Sequence, residues 1–141
     1  MAIKMRYLYA SGKKKFVTIG DHIKAKYQLT NNNAVDVIPP AYSCDKERLV
    51  IIGISAKDEP ENKVRLFCEN LDKTKAANVA FILDGNDKCA NALREYVAKA
   101  GGNVYPEILR IKGGLPFLGK LNDEELASLD AWLDTLLSSL S

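Results

Sequence analysis

A serine, a glycine and three consecutive lysines near the start of the chain, Ser11 to Lys15, have the clearest chemical potential. They lie between an apolar segment with aromatic side chains and a segment whose apolar residues repeat with helical spacing. A helix start offers unpaired backbone N–H groups and the positive end of the helix dipole, and both attract anions. Three lysines there add concentrated positive charge. The pattern fits an anion-binding loop and a run of solvated lysines equally well, and both interpretations stay open at this point.

Other residues with reactive or ligand-binding side chains lie far apart in the sequence. Asp84 and Asp87 follow an apolar segment, where carboxylates can bind a metal ion or a hydroxyl group, but turn and helix-cap roles account for both. His22 is the single histidine, and no neighbouring serine or cysteine completes a recognisable triad. The three cysteines form no C-x-x-C pair, which argues against a zinc site or a disulfide framework.

Length and composition are typical of one soluble globular domain. The chain has 141 residues, of which 47% are hydrophobic and 27% charged, so it can bury a real core. No apolar run is long enough to span a bilayer, and the chain starts with a strand-like segment rather than a signal peptide. We therefore expect a cytoplasmic protein. A net charge of +2 without a basic stripe argues against nucleic acid as a partner.

Strand-like and helix-like segments alternate in the first half of the chain. Residues 5–9 form a compact apolar run that predicts the first strand, and a helical stripe of apolar residues follows it. Residues 34–38 predict a second strand, which Pro39 and Pro40 end. Only about ten residues lead to the next strand, so a crossover helix barely fits there. Residues 48–54 are almost wholly apolar, as in a strand covered on both faces.

The alternation continues to the end of the chain. A second helix is predicted after Pro60, a fourth strand at 78–83, and a third helix that Asp87 caps and Gly101-Gly102 ends. Residues 103–111 predict a fifth strand, which Pro106 assigns to a sheet edge. A last amphipathic helix begins at Asn122. The whole pattern predicts one α/β domain over residues 1–141, with a five-stranded parallel sheet of order 2-1-3-4-5 and helices on both faces.

Several stretches of this sequence carry a resemblance to the flavodoxin family. Residues 9–16 occupy, without a gap, the place where flavodoxin-like chains often run Y-S-S-G-T-G-N-T from the first strand into the first helix. The third strand ends in Gly53-Ile54-Ser55, which is similar to the family's apolar run, glycine and second flavin loop. Residues 78–85 resemble its fourth strand and third loop, and the last helix resembles its C-terminal helix. The resemblance covers nearly the whole chain.

This resemblance implies a cofactor, an activity and a set of binding residues. The cofactor is FMN, and the activity is electron transfer or flavin-dependent reduction, with a redox protein as a possible partner. The phosphate lies on the first loop, at the start of the first helix, and the second and third loops flank the flavin ring. The residues assigned in this way are Ser11, Gly12, Lys13, Lys14, Lys15, Ser55, Ala56, Asp84 and Gly85.

All three loops nevertheless depart from the family's pattern. The first has Lys13-Lys14-Lys15-Phe16 in place of T-G-N-T, so it lacks a glycine that lets the backbone approach the phosphate closely. Phe16 is expected to anchor the helix in the core. Neither residues 55–59 nor residues 84–87 include an aromatic ring to stack on a flavin. The second hypothesis is therefore a flavodoxin-like domain that has lost FMN and binds another anionic ligand or a protein partner.

Overall fold

Strands and helices alternate along the chain as the sequence pattern predicts. The structure, a computed structural model, describes residues 5–10, 14–29, 34–38, 44, 46–56, 62–85, 87–111 and 123–140. Its elements, in chain order, are β1 (Met5–Tyr9), α1 (Lys14–Lys26), β2 (Val35–Val37), β3 (Leu49–Ala56), α2 (Asn62–Glu69), β4 (Asn78–Gly85), α3 (Asp87–Lys99), β5 (Asn103–Val104), β6 (Leu109–Arg110) and α4 (Asp123–Ser139).

The strands form one parallel sheet in the predicted order. Strand β1 lies between β2 and β3, and β4 follows β3. Strand β4 pairs with β5 along its first residues and with β6 along its later ones. The chain is therefore an α/β sandwich with the flavodoxin-like order 2-1-3-4-5, in which β5 and β6 share the fifth position. None of the described residues between β2 and β3 is helical, as expected for so short a connection.

The prediction of one continuous fifth strand over residues 103–111 was wrong. The ladder on β4 extends from β5 to the N–H of Tyr105, which donates to the Val79 carbonyl at 2.8 Å, and then stops. It resumes at β6 and continues to Ile111, whose N–H donates to the Leu83 carbonyl at 2.9 Å. Pro106 lies in the gap, where its missing N–H and fixed φ interrupt strand geometry. The predicted edge position is confirmed.

Helices cover both faces of the sheet. On one face α1 and α4 pack through a buried cluster that includes Phe16 and Leu133. On the other face α2 and α3 pack through a second cluster that includes Cys68 and Leu93. Strands β3 and β4 contribute alternate residues to both clusters, which explains why their sequences are apolar almost throughout. Each large apolar side chain buried in this way contributes about 1.5–3 kcal/mol to folding.

Charged side chains also join α1 to α4. The Nε2 atom of His22 lies 2.7 Å from Oδ1 of Asp130, and Nζ of Lys26 lies 3.3 Å from carboxylate oxygens of both Asp130 and Asp134. The hydrogen bond with His22 lowers the pKa of Asp130 below its usual value. His22 thus contacts the neighbouring helix.

In the described part of the chain, no helix is both long and apolar enough to cross a membrane.

Candidate functional site

The sheet has a topological switch point between β1 and β3. The helix after β1 covers one face of the sheet and the helix after β3 covers the other, so the two connections diverge. Such divergence opens a crevice at the carboxyl ends of the strands, where ligands of open α/β sheets bind. We call this end of the sheet the carboxyl edge. It is formed by the ends of β1, β3 and β4 and by the start of α1.

The carboxyl edge is stepped. Strand β1 ends at Tyr9, which lies opposite Gly53 in the ladder. Strand β3 continues beyond that point to Ala56, and β4 runs beside it to Gly85. The two longer strands therefore project past the end of β1. Because α1 begins close behind β1 on one face, the first turn of α1 lies next to this projection.

Glycine is required where α1 meets the sheet. A Cβ on Gly53 would lie 2.7 Å from the Tyr7 hydroxyl and 2.9 Å from the Phe16 ring. Phe16 is fully buried, which confirms its predicted role as a core anchor. The Tyr7 hydroxyl donates a hydrogen bond to the Phe16 carbonyl at 3.0 Å. Burial raises the pKa of Tyr7 well above its usual value, so the hydroxyl stays protonated and able to donate. These contacts fix the first turn of α1 against β1 and β3.

Two predicted polar residues lie on the face that α1 covers. Ser55 and Asp84 are ladder partners on β3 and β4. Side chains alternate along a strand, and Ile51 and Ile82 belong to the cluster under α1 and α4. Ser55 and Asp84 are an even number of residues further on, so both lie on that same face. The site thus combines a hydroxyl and a carboxylate beside the start of α1.

Lys15 forms an ion pair with Asp84. Its Nζ atom contacts Oδ2 of Asp84, and the two side chains are only 5% and 19% exposed. A cation in the first turn of a helix is disfavoured by the dipole, and the carboxylate of Asp84 offsets that cost. The pair also links α1 to the end of β4. As a consequence, the charge of Lys15 is compensated within the protein and is not presented freely to solvent.

The remaining predicted site residues differ in what the structure describes. Ala56 and Gly85 end β3 and β4 as ladder partners, so the backbone of both loops starts at the carboxyl edge. Lys14 is the first residue of α1. Ser11, Gly12 and Lys13 lie outside the described residues. The structure therefore brings the starts of the second and third predicted loops together with the start of α1.

An aromatic residue at the carboxyl edge was missed as a site residue. Tyr9 was assigned only to the first strand, yet it ends that strand at the switch point. Its ring stacks on Tyr7, with 5.7 Å between the ring centroids and 24° between the ring planes. It is partly buried, and burial together with Asp36 and Asp21 raises its pKa. Its position as the last residue of a strand before a candidate loop was the available signal.

Asp87 and the three cysteines have structural roles and not reactive ones. Asp87 is the first residue of α3, and its carboxylate accepts hydrogen bonds from Nε and a terminal nitrogen of Arg110 at 3.2 and 2.9 Å. The three cysteines are buried and form no disulfide. Burial raises the pKa of Cys68 to about 12, so this thiol is unreactive at neutral pH. Within the described residues, no group of three His, Cys, Asp or Glu side chains could hold a metal ion.

Neither a scan against protein-family models nor a search of the curated proteins found a match for this chain. What the carboxyl edge can bind is therefore inferred from its own residues.

Proposed function

We propose that this chain is a flavodoxin-like protein that binds FMN at the carboxyl edge and acts in electron transfer or flavin-dependent reduction. One observation carries the proposal: the first turn of α1 lies at the switch point, beside the projecting ends of β3 and β4. The switch point at the carboxyl ends of the strands is the general ligand site of open α/β sheets. A helix start supplies backbone N–H groups to a phosphate, which FMN carries.

The described residues suit different parts of that cofactor. The ammonium group of Lys15 is largely buried and paired with Asp84, so it adds positive potential under the start of α1 and not a direct contact with the phosphate. Ser55 adds a hydroxyl on the same face, and the partly buried Tyr9 ring offers an apolar surface. When bound, FMN supplies the one- or two-electron chemistry. The residues of the chain hold the phosphate and orient the ring.

Asp84 opposes phosphate binding at this site. Its carboxylate takes up the charge of Lys15 and would repel a phosphate brought close to it. The proposal therefore requires that the backbone N–H groups of α1 provide much of the phosphate affinity. It also predicts that FMN binds more tightly once the charge of Asp84 is removed.

The same ion pair favours a second candidate function, a flavodoxin-like domain without FMN that binds another anionic ligand or a protein partner. Lys15 and Asp84 neutralise each other and are largely buried, so the start of α1 is held without any ligand. A site that needs no cofactor to balance its charges is what this second function expects.

Two measurements separate these functions. The visible absorption spectrum of freshly purified protein shows whether flavin is carried from cells, and titration into free FMN follows binding by quenching of flavin fluorescence. We expect quenching by the unaltered protein and tighter binding, by several-fold, by Asp84→Asn. Asp134→Asn is the matched control, because it removes the same charge on α4 beside the last turn of α1.

Failure has a distinct signature in this experiment. A colourless protein that leaves FMN fluorescence unchanged, in both the unaltered form and Asp84→Asn shown to be folded, would exclude the FMN proposal and leave the second function. Equal effects of Asp84→Asn and Asp134→Asn on FMN affinity would show that only overall charge matters, and this would also contradict the proposed site.

A further inference from the structure

A second concave surface lies at the opposite, amino-terminal end of the sheet. This groove has a volume of about 600 Å³, within the roughly 300–1,000 Å³ of small-molecule sites. Its walls come from the segment before β3, the segment before β4 and the start of β5. We call it the amino-edge groove, and its lining residues are Lys46, Glu47, Arg48, Lys73, Ala77, Asn78 and Asn103.

The accessible charge of the amino-edge groove is positive. Lys46, Arg48 and Lys73 are exposed, whereas Glu47, which also lines the groove, is only 6% exposed. Asn78 and Asn103 add side-chain amides, which can donate further hydrogen bonds. Cations combined with neutral donors are the groups that recognise phosphate oxygens.

The backbone that carries these cations is tied into the sheet. The N–H of Lys46 donates to the Thr74 carbonyl at 2.9 Å, and the N–H of Ala77 donates to the Glu47 carbonyl at 2.8 Å. Glu47 and Ala76 form a parallel bridge at the same point. The two wall segments thus extend the β3–β4 pairing, and the lysines project from an ordered platform.

Two local features define the backbone on the lysine side of the groove. Lys46 adopts a left-handed backbone conformation with φ of 53°, which is uncommon for a residue other than glycine. The turn that carries Lys73 is fixed by Asp72, whose carboxylate accepts hydrogen bonds from the N–H and the hydroxyl of Thr74 at 2.9 and 2.5 Å. These hydrogen bonds, led by that of the Thr74 hydroxyl, lower the pKa of Asp72.

The amides on the other side of the groove are also oriented. Nδ2 of Asn103 donates to Oδ1 of Asn78 at 2.8 Å, and Nδ2 of Asn78 donates to the Arg48 carbonyl at 3.0 Å. The Arg48 guanidinium donates to the Leu140 carbonyl at 3.3 Å, which uses one of its five N–H groups. Each amide NH2 group has a second N–H that can donate to a ligand.

We propose that the amino-edge groove binds a small organic ligand that carries a chain of two or three phosphate groups. The three exposed cations match that charge, and the groove accommodates a ligand of that size. Its described lining residues include no aromatic ring, so recognition rests on the phosphates and not on stacking with a base. The groove lies at the opposite end of the sheet from the carboxyl edge, and this proposal is independent of FMN.

Inorganic tripolyphosphate is the probe that tests the groove. It is titrated into the full chain at about 0.15 M salt, where long-range attraction is largely screened, and followed by calorimetry and by NMR of the Asn78 and Asn103 side-chain amides. The test variant is Lys46→Gln with Lys73→Gln. The control is Lys24→Gln with Lys99→Gln, which removes the same charge from exposed helix positions.

We expect saturable binding by the unaltered protein and by the control, with shifts of the two amide signals. The affinity of the groove variant for tripolyphosphate should fall by about tenfold or more, because the variant lacks two charge-assisted contacts. Absence of saturable binding, or equal weakening in both variants, would overturn the proposal. An acidic peptide that shifts the groove signals when tripolyphosphate does not would also overturn it, in favour of a protein partner.

Discussion

The ion pair between Lys15 and Asp84 allows a prediction whose sign and asymmetry follow from exposure. The Lys15 side chain is 5% exposed and that of Asp84 is 19% exposed, so water can hydrate the carboxylate better than the ammonium group. Replacing Asp84 by Asn strands a buried cation, which costs about 3–5 kcal/mol. Replacing Lys15 by Met leaves a carboxylate that reaches solvent in part, so we expect a smaller cost of about 1–3 kcal/mol.

The double variant completes the reasoning. With both charges gone, no buried ion lacks its partner, and Met restores most of the apolar volume of Lys15. We therefore expect Lys15→Met with Asp84→Asn to be more stable than Asp84→Asn alone. The coupling free energy should exceed about 1 kcal/mol, as for residues in direct contact.

Urea unfolding of the four proteins measures these differences, with the free energy of unfolding obtained by linear extrapolation. Strict additivity of the two substitutions would refute the argument. So would a larger loss for Lys15→Met than for Asp84→Asn, because it would reverse the order that exposure predicts.

Three further predictions concern the core and the helix contacts. Gly53→Ala should cost about 1–3 kcal/mol because its Cβ would overlap Tyr7 and Phe16. Gly101→Ala meets no atom within 4 Å, so its cost, also about 1–3 kcal/mol, should come from backbone strain at φ of 99° alone. An unchanged free energy of urea unfolding for Gly53→Ala would contradict the overlap. The contact of Asp130 with His22 should stabilise the folded protein by only about 0.5 kcal/mol, because the Asp130 side chain is more than a third exposed. Because folding lowers the pKa of Asp130, this stability is present above the unfolded pKa and is lost as the pH falls through the folded pKa. The free energy of unfolding of Asp130→Asn should therefore differ from that of the unaltered protein at pH 6 and equal it near pH 2. A difference that stays constant with pH would contradict this prediction. Cys68 should resist iodoacetamide at pH 8 until the protein unfolds, as mass spectrometry can show, and rapid labelling of the folded protein would contradict its burial.

The sequence predicted the sheet well because its central strands carry a strong local signal. Strands β3 and β4 are covered on both faces, so they are apolar at nearly every position, and parallel pairing then follows from the alternation with helices. The prediction of one continuous fifth strand was wrong because the effect of Pro106 on a ladder depends on where the N–H groups of the strand point. Sequence alone showed that the proline disfavours a central strand, but not that it splits the edge strand in two.

The candidate site was predicted in location and not in its internal contacts. The carboxyl ends of parallel strands lie at one edge of the sheet, so the topology alone predicts that Ser55 and Asp84 lie close together. The pairing of Lys15 with Asp84 joins residues far apart in sequence and depends on the exact rotation of α1. The same rotation turns Lys15 inward, which composition and spacing do not specify.

The interruption of the fifth strand has a consequence for how this protein behaves at high concentration. An exposed sheet edge is a template on which another chain can pair its backbone, and long uninterrupted edges promote aggregation. Here one border offers two-residue segments, β5 and β6, separated by a stretch that includes Pro106. The opposite border, β2, has only three residues, and the N–H of Val37 donates to the Asp36 carboxylate at 2.8 Å. Within the described residues, both borders are thus too short to offer a foreign strand a long uninterrupted edge.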